Sequence, residues 1–167
     1  MKLDQSHKML RAFGHEFDVL VNSEHTRGAS CVLRAFASPG NDVPLHVHRF
    51  EDEIFIVESG ELEVNRGGEI IRLRKGDAVY LPKNIPHAPR AVGSERAQVL
   101  AICVPGGFDH YIAACAEEWS KPQPSFQRLD QIAARFGQEF LTPESPSSSS
   151  PELPSNESGS SKQPIVP

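Results

Sequence analysis

The chain has 167 residues, with 17 Lys and Arg against 22 Asp and Glu, a net charge of −5, and 38% hydrophobic residues. That suffices for one core and a tail, not for two cores. No basic stripe stands out, so nucleic acid is not an expected partner. The apolar runs are far shorter than a membrane span, and Met1 to Leu10 lacks the apolar stretch of a signal peptide. No membrane partner and a cytoplasmic location are therefore expected. Cys31, Cys103 and Cys115 are few, odd in number and far apart, which argues against a disulfide framework. Cys31 and Cys103 fall in apolar runs and read as small buried hydrophobes, though either could line an interior site.

In chain order, Asp18–Val21 and Ser30–Phe36 read as strands, the second with Cys31, Leu33 and Ala35 on one face. Glu61–Val64 and Glu69–Leu73 flank Arg66-Gly67-Gly68, a hairpin signal. Lys75-Gly76-Asp77 is a turn before a strand at Ala78–Leu81, and Ala97–Val104 is a last, strongly apolar strand. Short strands with turn signals between them predict an all-β barrel or sandwich. After Pro105-Gly106-Gly107 the period changes. Phe108, Tyr111, Ile112, Cys115 and Trp119 keep helical spacing, as do Leu129, Ile132, Ala133, Phe136 and Phe140. Two helices, 108–119 and 129–140, are predicted, the second starting near Asp130 and both closing an end of the barrel or covering its outer face. From Thr142 to Pro167 the chain is Ser- and Pro-rich with no aromatic residue, and disorder is expected. The predicted divisions are an N-terminal arm and first strand (1–28), a barrel (29–108), C-terminal helices (109–141) and a tail (142–167).

His46-x-His48 lies in an extended segment, so both imidazoles share one face and can chelate one ion. Glu51, Asp52 and Glu53 follow. The step from His48 to Glu53 is odd, so a bend near Arg49-Phe50 must intervene for Glu53 to join the histidines. From there Glu53, Phe55 and Val57 share a side. Glu51 and Asp52 read as solvated charges, either of which could orient a metal-bound imidazole. His7, His15, His25 and His110 read as surface or structural.

These residues resemble the cupin family. Its first motif, Gly-x5-His-x-His-x3,4-Glu-x6-Gly, is met by Gly40, His46, His48, Glu53 and Gly60. Its second, Gly-x5-Pro-x-Gly-x2-His-x3-Asn, is met by Gly76, Pro82 and His87, with Asn84 in place of the glycine and Ala91 in place of the asparagine. Asn tolerates the left-handed conformation better than most residues. The resemblance spans roughly Phe13 to Phe108. It implies a double-stranded β-helix, or jelly-roll, barrel holding one divalent transition metal on His46, His48, Glu53 and His87. Three nitrogens and a carboxylate suit Fe, Ni, Co, Mn, Cu or Zn.

Cupins host many activities, so the site must decide function. The expected interior, with Phe55, Val57, Leu33 and Cys103, is apolar, and Arg49, Arg66, Arg72, Arg74, Lys75 and Lys83 lie mainly in turns or on the hairpin. A small aromatic or enolisable substrate fits such a barrel better than a sugar phosphate. The Glu-Asp-Glu run, Gly76-Asp77, Pro86-His87 and Pro105-Gly106-Gly107-Phe108 resemble single-domain, quercetin-dioxygenase-like cupins. That likeness implies a flavonol-type dioxygenase using O2, with Glu53 as both ligand and catalytic base. A non-redox isomerase, cyclase or lyase of secondary metabolism is the alternative, and a non-catalytic ligand-binding cupin a third. Ile54 and Ile56 should point outward, and Ala97–Val104 is apolar on both faces. A homodimer packed sheet against sheet is therefore expected.

Overall fold

The computed structural model describes residues 9–141. Its strands are β1 (Met9–Ala12), β2 (His15–Val21), β3 (Cys31–Ala37), β4 (His46–His48), β5 (Asp52–Ser59), β6 (Glu61–Arg66), β7 (Glu69–Arg74), β8 (Ala78–Leu81), β9 (His87–Val92), β10 (Ala97–Val104) and β11 (Gln138–Phe140). Two helices, α1 (Phe108–Trp119) and α2 (Phe126–Arg135), separate β10 from β11. The strands form two antiparallel sheets, ordered β1-β2-β3-β10-β5-β8 and β11-β4-β9-β6-β7. This is the expected double-stranded β-helix with C-terminal helices. The expected tail, 142–167, lies outside the described residues.

Period-two alternation builds the interior. Glu53, Phe55 and Val57 of β5 are buried while Ile54 and Ile56 are only half-buried, and β10 repeats this with Ala97, Val99, Ala101 and Cys103 facing in. Rungs Val99–Val57 and Ala101–Phe55 bring the two apolar rows together. The opposite wall comes from Leu62, Val64, Leu73 and Ala91, with Leu62 across from Ala91. Leu33, Leu62 and Leu81 are fully buried, each contributing about 1.5–3 kcal/mol by transfer from water. Ala91, where the family pattern has asparagine, is thus packed into the barrel wall.

The β5–β6 corner depends on Gly60. Its φ is +73°, and a Cβ there would lie 2.7 Å from the Ala97 Cα and 2.9 Å from the Arg96 carbonyl oxygen. Asn84 adopts φ +66°, the left-handed conformation expected where the motif has glycine. Its N–H donates to the His48 carbonyl at 2.8 Å, tying the loop before His87 to β4.

A second core cluster joins Leu10, Ala12, Cys31, Leu33 and Cys103 to Tyr111, Ile112, Cys115, Leu129 and Ala133. Leu33 and Cys103 continue the inward rows of β3 and β10. The helices therefore close over the interior face rather than cover the outer one. Two expectations change. The second helix begins at Phe126, capped by the Ser125 hydroxyl accepting from Arg128 N–H at 3.2 Å, not near Asp130. It also stops at Arg135, because Gly137 takes φ +69° and presses against the Phe50 ring, where a Cβ would come within 2.7 Å. Phe140, predicted helical, lies instead in β11. Neither helix is long and apolar enough to cross a membrane.

Candidate metal centre

The odd step from His48 to Glu53 is resolved by a change of sheet. After His48 the chain leaves the five-stranded sheet, bends through residues 49–51 and enters the six-stranded sheet at Asp52. Histidines therefore project inward from one wall and Glu53 from the other. His87 opens β9 directly opposite His46, which supplies the third imidazole.

The three imidazoles converge. Ring centroids are 5.2 Å apart for His46–His48, 4.4 Å for His46–His87 and 5.0 Å for His48–His87. One ring nitrogen from each lies within 4.8 Å of the others, a spacing that could hold a metal ion. Glu53 Oε2 stands 3.4 Å from His87 Nε2 and 3.9 Å from His48 Nε2. Donors bound at about 2.1 Å around one ion sit roughly 3–3.5 Å apart, a spacing that Glu53 Oε2 meets toward His87 and nearly meets toward His48. His48 Nε2 and His87 Nε2 are buried without a hydrogen-bond partner, a costly state for polar atoms unless something coordinates them. His48 Nδ1 is likewise without a hydrogen bond, whereas Nδ1 of His46 and of His87 is engaged. His46 Nδ1 meets the Pro44 carbonyl at 2.8 Å and His87 Nδ1 the Ile85 carbonyl at 3.2 Å. A carbonyl only accepts, so both rings carry the Nδ1 proton and turn an Nε2 lone pair inward.

The surroundings act differently on the individual donors. Burial, then the neighbouring His87 and His48, push the His46 pKa down to about 3, so it stays neutral. Burial opposes charge on His48, but Glu53 and Glu51 outweigh it and raise its pKa. Burial likewise opposes charge on Glu53, and the imidazoles, His48 foremost, override it and lower its pKa. Cys103 is a thiol, its pKa raised by burial. Its Sγ lies 3.7 Å from Glu53 Oε1 and donates to it, leaving Oε2 toward the histidines. The proximity foreseen for Cys103 is realised, and all three cysteines are free and buried.

Two neighbours, Gln138 and Phe108, were not read from the sequence, and Glu51 takes up the alternative foreseen for it beside an imidazole. Glu51, expected to be solvated, is 5% exposed. The bend that reverses Glu53 also turns Glu51 inward, 3.3 Å from His48 Nδ1, where Gln138 of β11 donates to it at 2.6 Å. Phe108, the first residue of α1, stacks on His48 at 5.2 Å. Asp52 behaves differently, accepting from the Lys83 N–H at 2.9 Å on the outside.

The histidine–glutamate cluster forms one wall of a cavity of about 440 Å³. Phe13, Phe17, Phe55, Phe108, Trp119 and Leu129 supply apolar walls. His15, Asp42, Asp130 and Gln138 are polar points, and no Lys or Arg lines it among the described residues. Phe55 lines it as expected, while Val57, Leu33 and Cys103 lie behind in the core. Eleven of the 26 lining residues lie outside the strands, in loops and in the two helices.

Residues 36–103 match the family described as cupin domain. Over 133 residues the chain is 26% identical to quercetin 2,3-dioxygenase of Bacillus subtilis (strain 168), covering 77% of this chain and 36% of that protein. Over 66 residues it is 33% identical to the polyketide synthase CurC of Streptomyces cyaneus, covering 40% of this chain and 43% of that one. The chain thus matches less than half the length of either relative. Its fold is like that of KdgF from Halomonas sp., with a TM-score of 0.56 and 22% identity over 65% of this chain and 94% of that one. The motif histidines, His46, His48 and His87, all fall within the stretch, residues 36–103, that matches a cupin domain.

Proposed function

We propose that the protein is a metal-dependent enzyme acting on a small, uncharged aromatic or enolisable molecule, most simply a dioxygenase of the flavonol type with O2 as co-substrate. The carrying observation is the cavity: about 440 Å³, apolar, lined by no Lys or Arg among the described residues, and ending on His46, His48 and Glu53. A pocket without cationic groups disfavours phosphates and polycarboxylates and suits aromatic rings. His46, His48, Glu53 and His87 would hold one divalent transition metal, Fe, Ni, Co, Mn, Cu or Zn. When bound, the ion would supply Lewis acidity toward a substrate oxygen and, if redox-active, a route for electrons to O2.

The chain's own part follows from the geometry. The aromatic walls exclude water and fix a planar ligand edge-on to the histidines. Glu53 receives the substrate's hydroxyl proton on Oε2 while Cys103 holds Oε1, so the ligand becomes an enolate only once seated. The similarity to quercetin 2,3-dioxygenase supports this reading. Elemental analysis, then O2 consumption with a flavonol panel, tests it: loss of flavonol absorbance coupled to O2 uptake is expected. Turnover that proceeds without oxygen would replace it with a non-redox isomerase, cyclase or lyase. The 66-residue likeness to the polyketide synthase CurC favours that second reading, with Glu53 again the base.

The outer face of the six-stranded sheet supports a homodimer. Rungs Val32–Ile102, Ile102–Ile54 and Ile54–Tyr80 carry an outward apolar row, and Tyr80 is half exposed. The chain's own helices lie on the other face, so a second copy packed about a two-fold axis would cover this row. Three free cysteines accord with a reducing cytoplasm.

A further inference from the structure

We propose that Glu51 and Gln138 act together as a positioning pair for His48, extending the centre into a strand that lies beyond the 36–103 cupin match. This rests on the metal-binding reading above. His46 and His87 are each steadied by a backbone carbonyl two residues earlier. His48 differs: its Nδ1 faces Glu51 Oε1 at 3.3 Å. The same oxygen accepts from Gln138 Nε2 at 2.6 Å. All three side chains are buried, at 1% exposure for His48, 5% for Glu51 and 4% for Gln138.

Register explains the arrangement. β11 pairs with β4 so that Gln138 stands opposite His48. The ladder is extended by Arg49 N–H donating to the Gly137 carbonyl and Leu141 N–H to the Leu45 carbonyl, both at 2.8 Å. The Gln138 amide is therefore delivered by the fold after two helices, not by the motif. Being neutral, it orients the carboxylate without cancelling its charge.

That charge has a use. Among the described residues, Glu51 and Glu53 are paired with imidazoles and with no Lys or Arg. A buried carboxylate without a cation is costly. Two of them beside the imidazole cluster match the charge of one divalent ion. A carboxylate on Nδ1 also makes the opposite Nε2 a stronger donor than a carbonyl does. His48 thus becomes the most strongly donating of the three imidazoles, and Gln138 keeps it so.

The test uses metal-free full-length protein titrated with Zn2+ or Co2+ against a chromophoric chelator, comparing wild type, Glu51→Gln, Gln138→Met and the double variant. Both substitutions nearly conserve size, and thermal unfolding of the metal-free forms reports the fold. Glu51→Gln is expected to weaken binding on the order of 10–100-fold, and Gln138→Met several-fold. The double variant should bind like Glu51→Gln alone, because Gln138 acts only through Glu51. Additive losses would overturn the pair, showing Gln138 to act separately. Wild-type affinity in Glu51→Gln, or in Gln138→Met should the former not fold, would overturn the proposal and leave the metal reading standing. Absence of binding by wild type would remove both.

Discussion

Replacing Asp109 with alanine tests how α1 is anchored over the site. Asp109 is 4% exposed in the first turn of α1, and Ser23, in the β2–β3 connection, is equally buried. The carboxylate accepts from the Ser23 backbone N–H at 2.9 Å and from the Ser23 hydroxyl. Hydrogen bonds to a charged group contribute about 1.5–3 kcal/mol each, and an acidic residue at a helix N-terminus adds about 0.3–1 kcal/mol. Asp109→Ala should therefore destabilise by about 3–7 kcal/mol, a large share of the roughly 5–15 kcal/mol that holds a domain folded. Ser23→Ala removes only the hydroxyl bond, at about 1–3 kcal/mol. In urea unfolding the double variant should fall short of additivity by about 1–3 kcal/mol. The pH dependence has a defined sign. Burial raises the Asp109 pKa, but the Ser23 bonds outweigh it and hold it below 3.8. Its contribution is complete above the unfolded carboxylate range and is lost as pH falls through the lowered folded value. The gap between wild type and Asp109→Ala should thus be constant above about pH 5 and narrow below about pH 4. A destabilisation under about 1 kcal/mol, or strict additivity with Ser23→Ala, would refute this account.

Four further outcomes are expected. His87→Ala leaves only the β4 pair and Glu53, and metal content of protein purified without chelator should fall from about one ion per chain to a small fraction; undiminished content there and in His46→Ala would reject the four-residue centre. Glu53→Gln keeps an oxygen donor but loses basicity, so some metal should remain while turnover on an identified substrate drops at least about a hundredfold; turnover within a few-fold of wild type would remove Glu53 as base. Gly60→Ala drives a Cβ against Ala97 backbone in a left-handed corner, and calorimetry should show a loss of about 1–3 kcal/mol or more; an unchanged melting temperature would contradict the corner's geometry. Ile54→Lys places a charge in the outward apolar row, and light scattering should show dissociation to 18.4 kDa monomers; a wild-type mass of 18.4 kDa would reject the dimer outright.

Much of the barrel was legible in one dimension, because alternation obeys local rules, whereas the set His46, His48, Glu53 and His87 was read from its resemblance to the cupin motifs. Alternation alone puts His46 and His48 on one face, sets Phe55 and Val57 beside Glu53, and turns Ile54 and Ile56 outward. The Gly67-Gly68 hairpin closes with Arg66 opposite Glu69, since the turn residues specify the register of the strands they join. The left-handed Asn84 was likewise readable from its side chain. The short strand Met9–Ala12 and the break after Arg135 were not legible, because neighbours decide them: β1 exists by pairing with β2, and α2 ends where Gly137 must pass the Phe50 ring. The helical spacing of Phe136 and Phe140 was real but was overruled by pairing with β4. Which sheet each donor hangs from, the burial of Glu51 and its meeting with Gln138 across 87 residues are long-range facts. The sequence by itself determined which side chains carry ligating atoms and that His46 and His48 share a face, because side-chain chemistry and period-two geometry are local. Only the tertiary structure decided what surrounds them: an apolar cavity roofed by two helices and a buried carboxylate behind His48, since those contacts arise when segments far apart in the chain pack into one core.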